Sequence, residues 1–338
     1  MEVLSFKEID PTITKNTHIK NIKGHIKERE KQSAALLSEP QVTYEACIVC
    51  GSSKNQEEIY TAQGFPWVRC HDCTHTYKKH MPDYERALDQ IRNHSVELYL
   101  EELGFEYRLK NITEPKYDYM MHYYEGEPGR WLDLATGIGD LPYLLCQKGW
   151  DVTATEINKS HAEAAALRLP FAPREQTLFE YYDEFKEQKV EPYDIVGTFG
   201  YYDMLPNPGE HSKTINKMLK IGGLMGVNLP RAESLTGAMA ELWPDTSLRA
   251  ITQINYSHFS EKSLFHMLEQ SGFEPVSIFR HGLDIHELAI RMTEHAPGFG
   301  DSPASNILYE LFNDLQRVVD EAGYSDLMMV CAKKVREV

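Results

Sequence analysis

The sequence lacks three features that would place it in a membrane, outside the cell or on a nucleic acid. Its longest apolar runs, such as Leu327–Ala332, are far shorter than the ~20 residues that a membrane-spanning helix needs. The N-terminus has no basic segment followed by an apolar stretch, so we expect no secretory signal and a cytoplasmic protein. Lys and Arg total 35 against 51 Asp and Glu. The resulting charge of −16 weighs against a nucleic-acid partner, whose phosphates bind clustered cations.

The chain also lacks the cysteine density of a secreted disulfide framework, with six cysteines in 338 residues. Four of them form two pairs, Cys47-x2-Cys50 and Cys70-x2-Cys73, nineteen residues apart. This spacing is typical of a zinc ribbon, in which two Cys-x2-Cys turns place four thiolates around one tetrahedral ion. Four unrelated thiols are the alternative. A site with four thiolates is usually structural, so we expect a structural zinc ion here.

The pattern of polar and apolar residues divides the chain into four regions. We predict a polar, helical N-terminal arm at 1–45, a zinc ribbon at 46–80, a helical linker at 81–125 and an α/β domain at 126–338. From residue 129 onward, strand and helix patterns alternate as they do in a doubly wound, mostly parallel sheet. Insertions interrupt this alternation at about 232–257 and 284–325.

One turn in the predicted α/β domain has the composition of a ligand-binding loop. The segment 133–139, DLATGIG, follows a buried strand and leads directly into a helix. Small residues let the backbone approach a ligand, and a helix N-terminus offers unpaired N–H groups. The next strand ends at Glu156, whose two carboxylate oxygens can accept both hydroxyls of a ribose. Turn and acid together predict a nucleoside-bearing cofactor, whereas the turn alone could be a tight connection without a ligand.

The same segment argues against a dinucleotide. Pro142 and Tyr143 stand where the third glycine of GxGxxG would fall, which disfavours a pyrophosphate. The stretch WLDLATGIGDLPYLLCQKGWDVTATEIN resembles motif I of the class I S-adenosylmethionine-dependent methyltransferases, an acid followed by G-x-G-x-G. Ala135 replaces the first glycine. The resemblance implies a Rossmann-like, mostly parallel sheet of seven strands, S-adenosylmethionine as the cofactor and methyl transfer as the reaction.

The resemblance covers roughly residues 126–290 and the final strand near 327–335. The segment PYDIVGTFGYYDMLPNP resembles the fourth-strand region that lines the adenine and the methyl donor. The resemblance implies a cofactor site made of Asp133, Ala135, Gly137, Gly139, Glu156, Phe199, Gly200 and Tyr201. Within it, Glu156 would hold the ribose, the turn would bind the methionine portion, and Phe199 and Gly200 would approach the reactive end.

The catalytic residues are harder to predict. Many relatives carry Leu-Glu-His-Leu after the fourth strand, but this chain has YDML at 202–205, so no histidine can be carried over to Met204. A carbon or oxygen acceptor must lose a proton during methyl transfer. We predict His258, in the loop NYSHFS, as the base because imidazole titrates near neutrality; a surface or capping histidine is the alternative. Asp203 and Tyr202 are further catalytic candidates at the carboxyl edge of the sheet, with packing as the alternative.

A cysteine ribbon ahead of such a domain resembles the sugar C-methyltransferases and the ribbon-bearing methyltransferases of surface-polysaccharide or natural-product pathways. We therefore expect transfer to a small-molecule acceptor, a sugar derivative or secondary metabolite, at carbon, oxygen or nitrogen. The alternatives are an RNA-modifying methyltransferase whose ribbon holds the substrate and a non-catalytic S-adenosylmethionine-binding protein. The insertion at about 232–257 could form a wall of the acceptor pocket, cover the core or make a homodimer contact.

Overall fold

The structure is a computed structural model that describes residues 1–11, 22–93, 104–246, 252 and 254–338. Parts of the predicted arm, linker and first insertion (12–21, 94–103, 247–251 and 253) lie outside the described residues. Every helix within the described ranges is too short or too polar to cross a bilayer.

Strands from the two ends and the middle of the chain form three sheets. The strands of the N-terminal part are β1 (Glu2–Ser5), β2 (Gln41–Thr43), β3 (Gln56–Ala62), β4 (Phe65–Cys70), β5 (Thr76–Lys78) and β6 (His80–Pro82). Those that follow are β7 (Arg130–Leu134), β8 (Asp151–Thr155), β9 (Tyr193–Phe199), β10 (Leu219–Pro230), β11 (Ser257–His258), β12 (Phe273–His281) and β13 (Leu327–Lys334).

The largest sheet has seven strands in the order β1-β12-β13-β10-β9-β7-β8. All neighbours are parallel except at β13, which runs antiparallel to both β12 and β10. The predicted Rossmann-like, mostly parallel sheet of seven strands is therefore confirmed. Its edge strand β1 lies within the predicted helical arm and pairs with Ser277 to Arg280 of β12.

Helices cover both faces of this sheet. Those before β9 are α1 (Ile22–Leu37), α2 (Tyr84–Asn93), α3 (Phe105–Arg108), α4 (Glu114–His122), α5 (Asp140–Gln147), α6 (Lys159–Ala166) and α7 (Leu178–Glu187). Those after β9 are α8 (Pro208–Met218), α9 (Leu235–Leu242), α10 (Glu261–Gln270), α11 (Asp284–His295), α12 (Pro303–Glu310) and α13 (Phe312–Glu321). A π-helical turn, Leu109–Thr113, joins α3 to α4.

Alternation along the strands explains why both faces are covered. In β7, Leu132 packs into the core cluster on one face, and Trp131 packs into the cluster on the other. Val196 and Ile195 of β9 divide in the same way. Successive strand residues point to opposite faces, so a strand that is apolar at every position needs helices on both sides.

The predicted ribbon contains a four-stranded sheet in the order β11-β5-β4-β3. Its strand β11 comes from the α/β domain and pairs antiparallel with β5, Ser257 opposite Tyr77 and His258 opposite Thr76. Beside it, the Thr74 hydroxyl donates a 2.6 Å hydrogen bond to that of Ser260. The ribbon and the α/β domain thus share a sheet, and the predicted loop around His258 is a strand.

Candidate active site

The turn after β7 contains three residues with left-handed backbone. Ala135, Gly137 and Gly139 have φ values of 53°, 60° and 84°. This region costs an L-residue roughly 1–2 kcal/mol but costs glycine nothing, so the turn favours glycine at all three positions. Ala135 is therefore the strained position. The N–H of Thr136 donates to the carbonyl of Thr155 (2.9 Å), which ties the turn to the end of β8.

The two glycines of the turn have different surroundings. A Cβ at Gly139 would lie 2.9 Å from the Cβ of Ala165, so glycine lets α5 begin in close contact with α6. A Cβ at Gly137 would meet no protein atom within 4 Å, and Gly137 lines the cavity described below. Space for a ligand therefore lies against Gly137, whereas Gly139 serves helix packing.

Glu156 follows β8 and is fixed by backbone donors. Its Oε2 accepts the N–H of Gly137 (2.7 Å) and its Oε1 accepts the N–H of Asn158 (2.8 Å). Burial raises the pKa of this carboxyl, and these hydrogen bonds oppose that shift. Because each carboxylate oxygen has two acceptor positions, both oxygens keep capacity for a ligand hydroxyl.

A cavity of about 710 Å³ lies at the carboxyl ends of the parallel strands. The turn, Glu156 and the segment after β9 line one part of it, and its other lining side chains are a mixture of polar and apolar groups. Of the predicted cofactor residues, the cavity is lined by Asp133, Ala135, Gly137, Glu156, Phe199, Gly200 and Tyr201. The structure thus brings seven of the eight together, Gly139 being the exception.

Helices that precede the predicted domain complete the cavity. Leu88 and Ile91 of α2 line it, and so does Lys116 of α4. The Asn158 amide donates to the carbonyl of Ile91 (2.6 Å), which attaches α2 to the start of α6. Further along, two hydrogen bonds of 2.9 and 3.0 Å join the Arg108 guanidinium to the Asp140 carboxylate. The cavity is therefore lined by the linker as well as by the sheet.

Two ionisable side chains with shifted pKa values face each other in this cavity. Burial raises the pKa of Asp133 to about 7, although Thr136 donates to it (2.6 Å) and Lys116 favours its charged form. Burial lowers the pKa of Lys116, and Asp133 and Asp140 oppose that shift. The Lys116 ammonium lies 5.4 Å from the centre of the Phe199 ring. Cationic and anionic groups thus stand beside an aromatic surface.

The family described as "Methyltransferase domain" matches residues 105–278, which is more than half of the chain. The chain belongs to this family. It is an S-adenosylmethionine-dependent methyltransferase. The match begins inside the predicted linker, which agrees with the part that α3 and α4 take in the cavity.

Several solved structures are similar to this methyltransferase. A SAM-dependent methyltransferase from Archaeoglobus fulgidus shares 17% identity over 70% of this chain and 99% of its own, with a TM-score of 0.48. A possible histamine N-methyltransferase from Thermotoga maritima shares 15% over 74% and 94%, with a TM-score of 0.42. Phosphoethanolamine N-methyltransferase 2 from Haemonchus contortus shares 14% over 77% and 63%, with a TM-score of 0.46. No curated relative matches the chain.

Tyr202 and Asp203, two predicted catalytic residues of the methyltransferase, do not line the cavity. Tyr202 is fully buried in the core, where the Ser212 hydroxyl donates to its oxygen (2.8 Å). Asp203 is buried beside it and accepts a hydrogen bond from the Asn255 amide. Tyr201, the residue just before them, does line the cavity. The short 3-10 turn Tyr202–Met204 that begins there directs the next two side chains into the core instead.

His258, the predicted base, also lies outside the cavity. It is 4% exposed, belongs to β11 and packs against Trp67 of the ribbon, with ring centroids 4.7 Å apart. It does not line the cavity. The prediction of a substrate-facing loop was wrong because a pairing with Thr76, far away in the sequence, makes this segment a strand.

The four predicted metal ligands do come together. The sulfur atoms of Cys47, Cys50, Cys70 and Cys73 all lie within 4.8 Å of one another, and the described residues contain no other group of three or more His, Cys, Asp or Glu side chains close enough to share a metal ion. The Cys47–Cys73 and Cys50–Cys70 sulfur distances are 3.5 and 3.6 Å. Sulfurs bound tetrahedrally to zinc at ~2.3 Å lie about 3.8 Å apart, so the cluster fits that ion.

Sequence reasoning missed the part of the methyltransferase site that comes before motif I. Leu88, Ile91, Arg108 and Lys116 were treated as a linker, yet each lines the cavity. The helical spacing of apolar residues in α2 indicated a buried face but not what that face covers. The bidentate pair between Arg108 and Asp140 has no signature in the sequence because its partners are 32 residues apart.

Proposed function

We propose that this methyltransferase transfers the methyl group of S-adenosylmethionine to a small molecule bound in the same cavity. The observation that carries the proposal is one cavity of about 710 Å³ with the motif I turn, Glu156 and the end of β9 in its walls. This volume is within the ~300–1,000 Å³ range of small-ligand sites. When bound, S-adenosylmethionine supplies an electrophilic methyl group on its sulfonium.

The protein residues bind and orient in this proposal. Glu156 accepts the two ribose hydroxyls with the lone pairs left over by Gly137 and Asn158. The turn residues Asp133, Ala135 and Gly137 lie along the methionine portion, and Gly139 shapes the turn. Phe199, Gly200 and Tyr201 line the reactive end, where a Cβ at Gly200 would meet no protein atom within 4 Å.

We further propose that the acceptor is a sugar derivative or secondary metabolite rather than RNA. Helices α2 and α4 line the cavity, with apolar side chains such as Leu88 and Ile91 beside polar ones, as is usual for small-molecule sites. A net charge of −16 opposes the phosphate contacts that RNA requires. The acceptor must approach the methyl group in line, so positioning by these walls is the main catalytic contribution of the protein.

The ribbon is proposed to hold one structural zinc ion through Cys47, Cys50, Cys70 and Cys73. Four protein thiolates fill a tetrahedral shell and leave no open position for chemistry. Such a cluster persists where thiols stay reduced, which favours a cytoplasmic location.

The test is methyl transfer from labelled S-adenosylmethionine to a panel of nucleotide sugars, phenols, amines and total RNA. Label in one or more small molecules, and none in RNA, is the expected result. Label in RNA alone would overturn the small-molecule proposal. The matched variant is Glu156→Ala, which should lower transfer to every acceptor because it acts on the shared cofactor.

A further inference from the structure

Lys78 in the ribbon strand β5 is a lysine in an unusual place. It is 1% exposed, and its ammonium lies 4.4 Å from the centre of the Phe65 ring and 5.5 Å from that of Trp67. This ammonium donates a 2.9 Å hydrogen bond to the backbone carbonyl of Thr252. A hydrogen-bond donor of the ribbon is thus directed at the backbone of the α/β domain.

The backbone that Lys78 holds leads directly to the cavity. Ile254 lines the cavity two residues after Thr252. Asn255 connects the same segment on both sides: its Oδ1 accepts the N–H of Thr252 (2.9 Å), and its amide donates to Asp203. The N–H of Tyr256 then donates to the carbonyl of Asp203 (2.7 Å). We call Thr252 and residues 254–256 the wall segment.

Burial makes this lysine costly for the fold. Moving an ammonium out of water costs several kcal/mol, and replacing a buried charge with an apolar side chain of similar volume is often neutral or stabilising. Burial also lowers the pKa of Lys78 well below its ordinary value. An apolar residue would fill the space between Phe65 and Trp67 at least as well. What it could not do is fix the carbonyl of Thr252.

We propose that Lys78 is a positioning residue, through which the ribbon holds the wall segment and sets the shape of the cavity next to Ile254. Its effect on the acceptor rests on the proposed function, whereas its effect on the wall segment does not. The turn at 133–139 and Glu156 make no hydrogen bond with the wall segment among the described residues, so cofactor binding is expected to be independent of Lys78. The ribbon then contributes to acceptor selection without touching the cofactor.

The test compares Lys78→Met with Lys79→Met. Methionine keeps the unbranched stem and removes the donor, and the neighbouring Lys79 is only partly buried, so its variant controls for the charge. Amide hydrogen exchange is measured on the protein without cofactor or acceptor. In Lys78→Met, the amides of the wall segment should exchange about tenfold faster, while those of 133–139 keep their rates. The melting temperature should stay the same or rise, and S-adenosylhomocysteine affinity should not change.

A purely structural lysine gives a different pattern. A lower melting temperature with faster exchange throughout β3, β4 and β5 would overturn the proposal, and so would wall-segment exchange equal to that of Lys79→Met. Methyl transfer to the acceptor panel adds a second readout: Lys78→Met should change the ratio of rates between large and small acceptors. A wild-type protein that transfers no methyl group would contradict the proposed function and leave the exchange result to decide the role of Lys78.

Discussion

The motif I side of the cavity is held by contacts between neighbours in sequence, whereas the Ile254 side is held by contacts across the whole chain. Gly137 and Glu156 are 19 residues apart, but Lys78 and Thr252 are 174 apart. We call the motif I side the local wall, and it can form from its own strand, turn and helix. We call the Ile254 side the long-range wall, and it needs the ribbon to be folded and docked. Cofactor binding and acceptor binding should therefore respond differently to damage in the ribbon.

The largest effect is expected from Cys70→Ser. Losing one thiolate opens the four-sulfur cluster, so zinc should fall from about one ion per chain to near zero, and the ribbon should unfold locally. Because β11 pairs with β5, exchange in Ser257 and His258 should rise as well. Exchange at 133–139 should change least. Elemental analysis and hydrogen exchange measure these outcomes.

The control for this variant is Cys146→Ser, a half-buried thiol outside the cluster. Its zinc content should equal that of the wild type. Wild-type protein that contains no zinc when prepared without chelators would contradict the ribbon assignment. If Cys70→Ser increased amide exchange at 133–139 as much as in the wall segment, the contrast between the two walls would be contradicted.

An intermediate effect is expected from Glu156→Ala, which damages the local wall only. The ribose hydroxyls lose charge-assisted acceptors, which is worth roughly 1.5–3 kcal/mol of cofactor affinity. Calorimetry with S-adenosylmethionine measures the loss, and exchange of the wall segment should not change. Glu163→Ala, an exposed acid on α6, serves as the matched control. The same affinity in both variants would exclude the ribose role of Glu156.

The local wall was predictable from sequence because its parts are close together in the chain. A buried strand, a turn with two glycines and an acid at the next strand end are all contained in residues 130–156. Left-handed φ at Gly137 and Gly139 follows from the residue types, and Ala135 adopts it despite its Cβ. The two Cys-x2-Cys turns were equally local, and their spacing predicted the cluster.

The long-range wall could not be predicted because no segment contains its signal. The two-residue strand β11 has too little pattern to be recognised, and only its pairing with β5 makes it a strand. The edge strand β1 depends in the same way on β12. The imidazole of His258 suggested a base, but the structure uses that side chain to pack on Trp67. The residue type of His258 suggested a catalytic role, but the pairing of β11 with β5 places the side chain away from the cavity.

The smallest effect concerns pH and rests on two buried carboxyls, Asp133 in the motif I turn and Asp203, which contacts the wall segment. Burial raises the pKa of Asp133 to about 7 and that of Asp203 to about 6, from an ordinary 3.8. A carboxyl with a raised pKa binds more protons in the folded state. Its contribution to stability is therefore complete below about pH 4 and is lost as the pH rises through 6 for Asp203 and 7 for Asp133.

The variants Asp203→Asn and Asp133→Asn isolate these contributions. Burial lowers the pKa of His75 and His211 to about 3, so these two groups make the protein more stable as the pH rises, opposite to the carboxyls. The readout is therefore the difference in stability between each variant and the wild type. The free energy of unfolding of the wild type, minus that of each variant, should decrease between pH 4 and 7. The decrease should end near pH 6 for Asp203→Asn and near pH 7 for Asp133→Asn. Denaturant titrations at several pH values measure it. A difference that grows with pH would contradict the assigned shifts.

The most direct test of the account is calorimetric titration of the wild-type protein with S-adenosylhomocysteine and, separately, with NAD. The cavity bounded by the 133–139 turn and Glu156 predicts saturable binding of about one S-adenosylhomocysteine per chain, since one motif I turn provides one cofactor site. NAD should bind far more weakly, because Pro142 occupies the position of the third glycine in a dinucleotide turn. Preference for NAD, or no binding of S-adenosylhomocysteine, would contradict the assignment of the cavity.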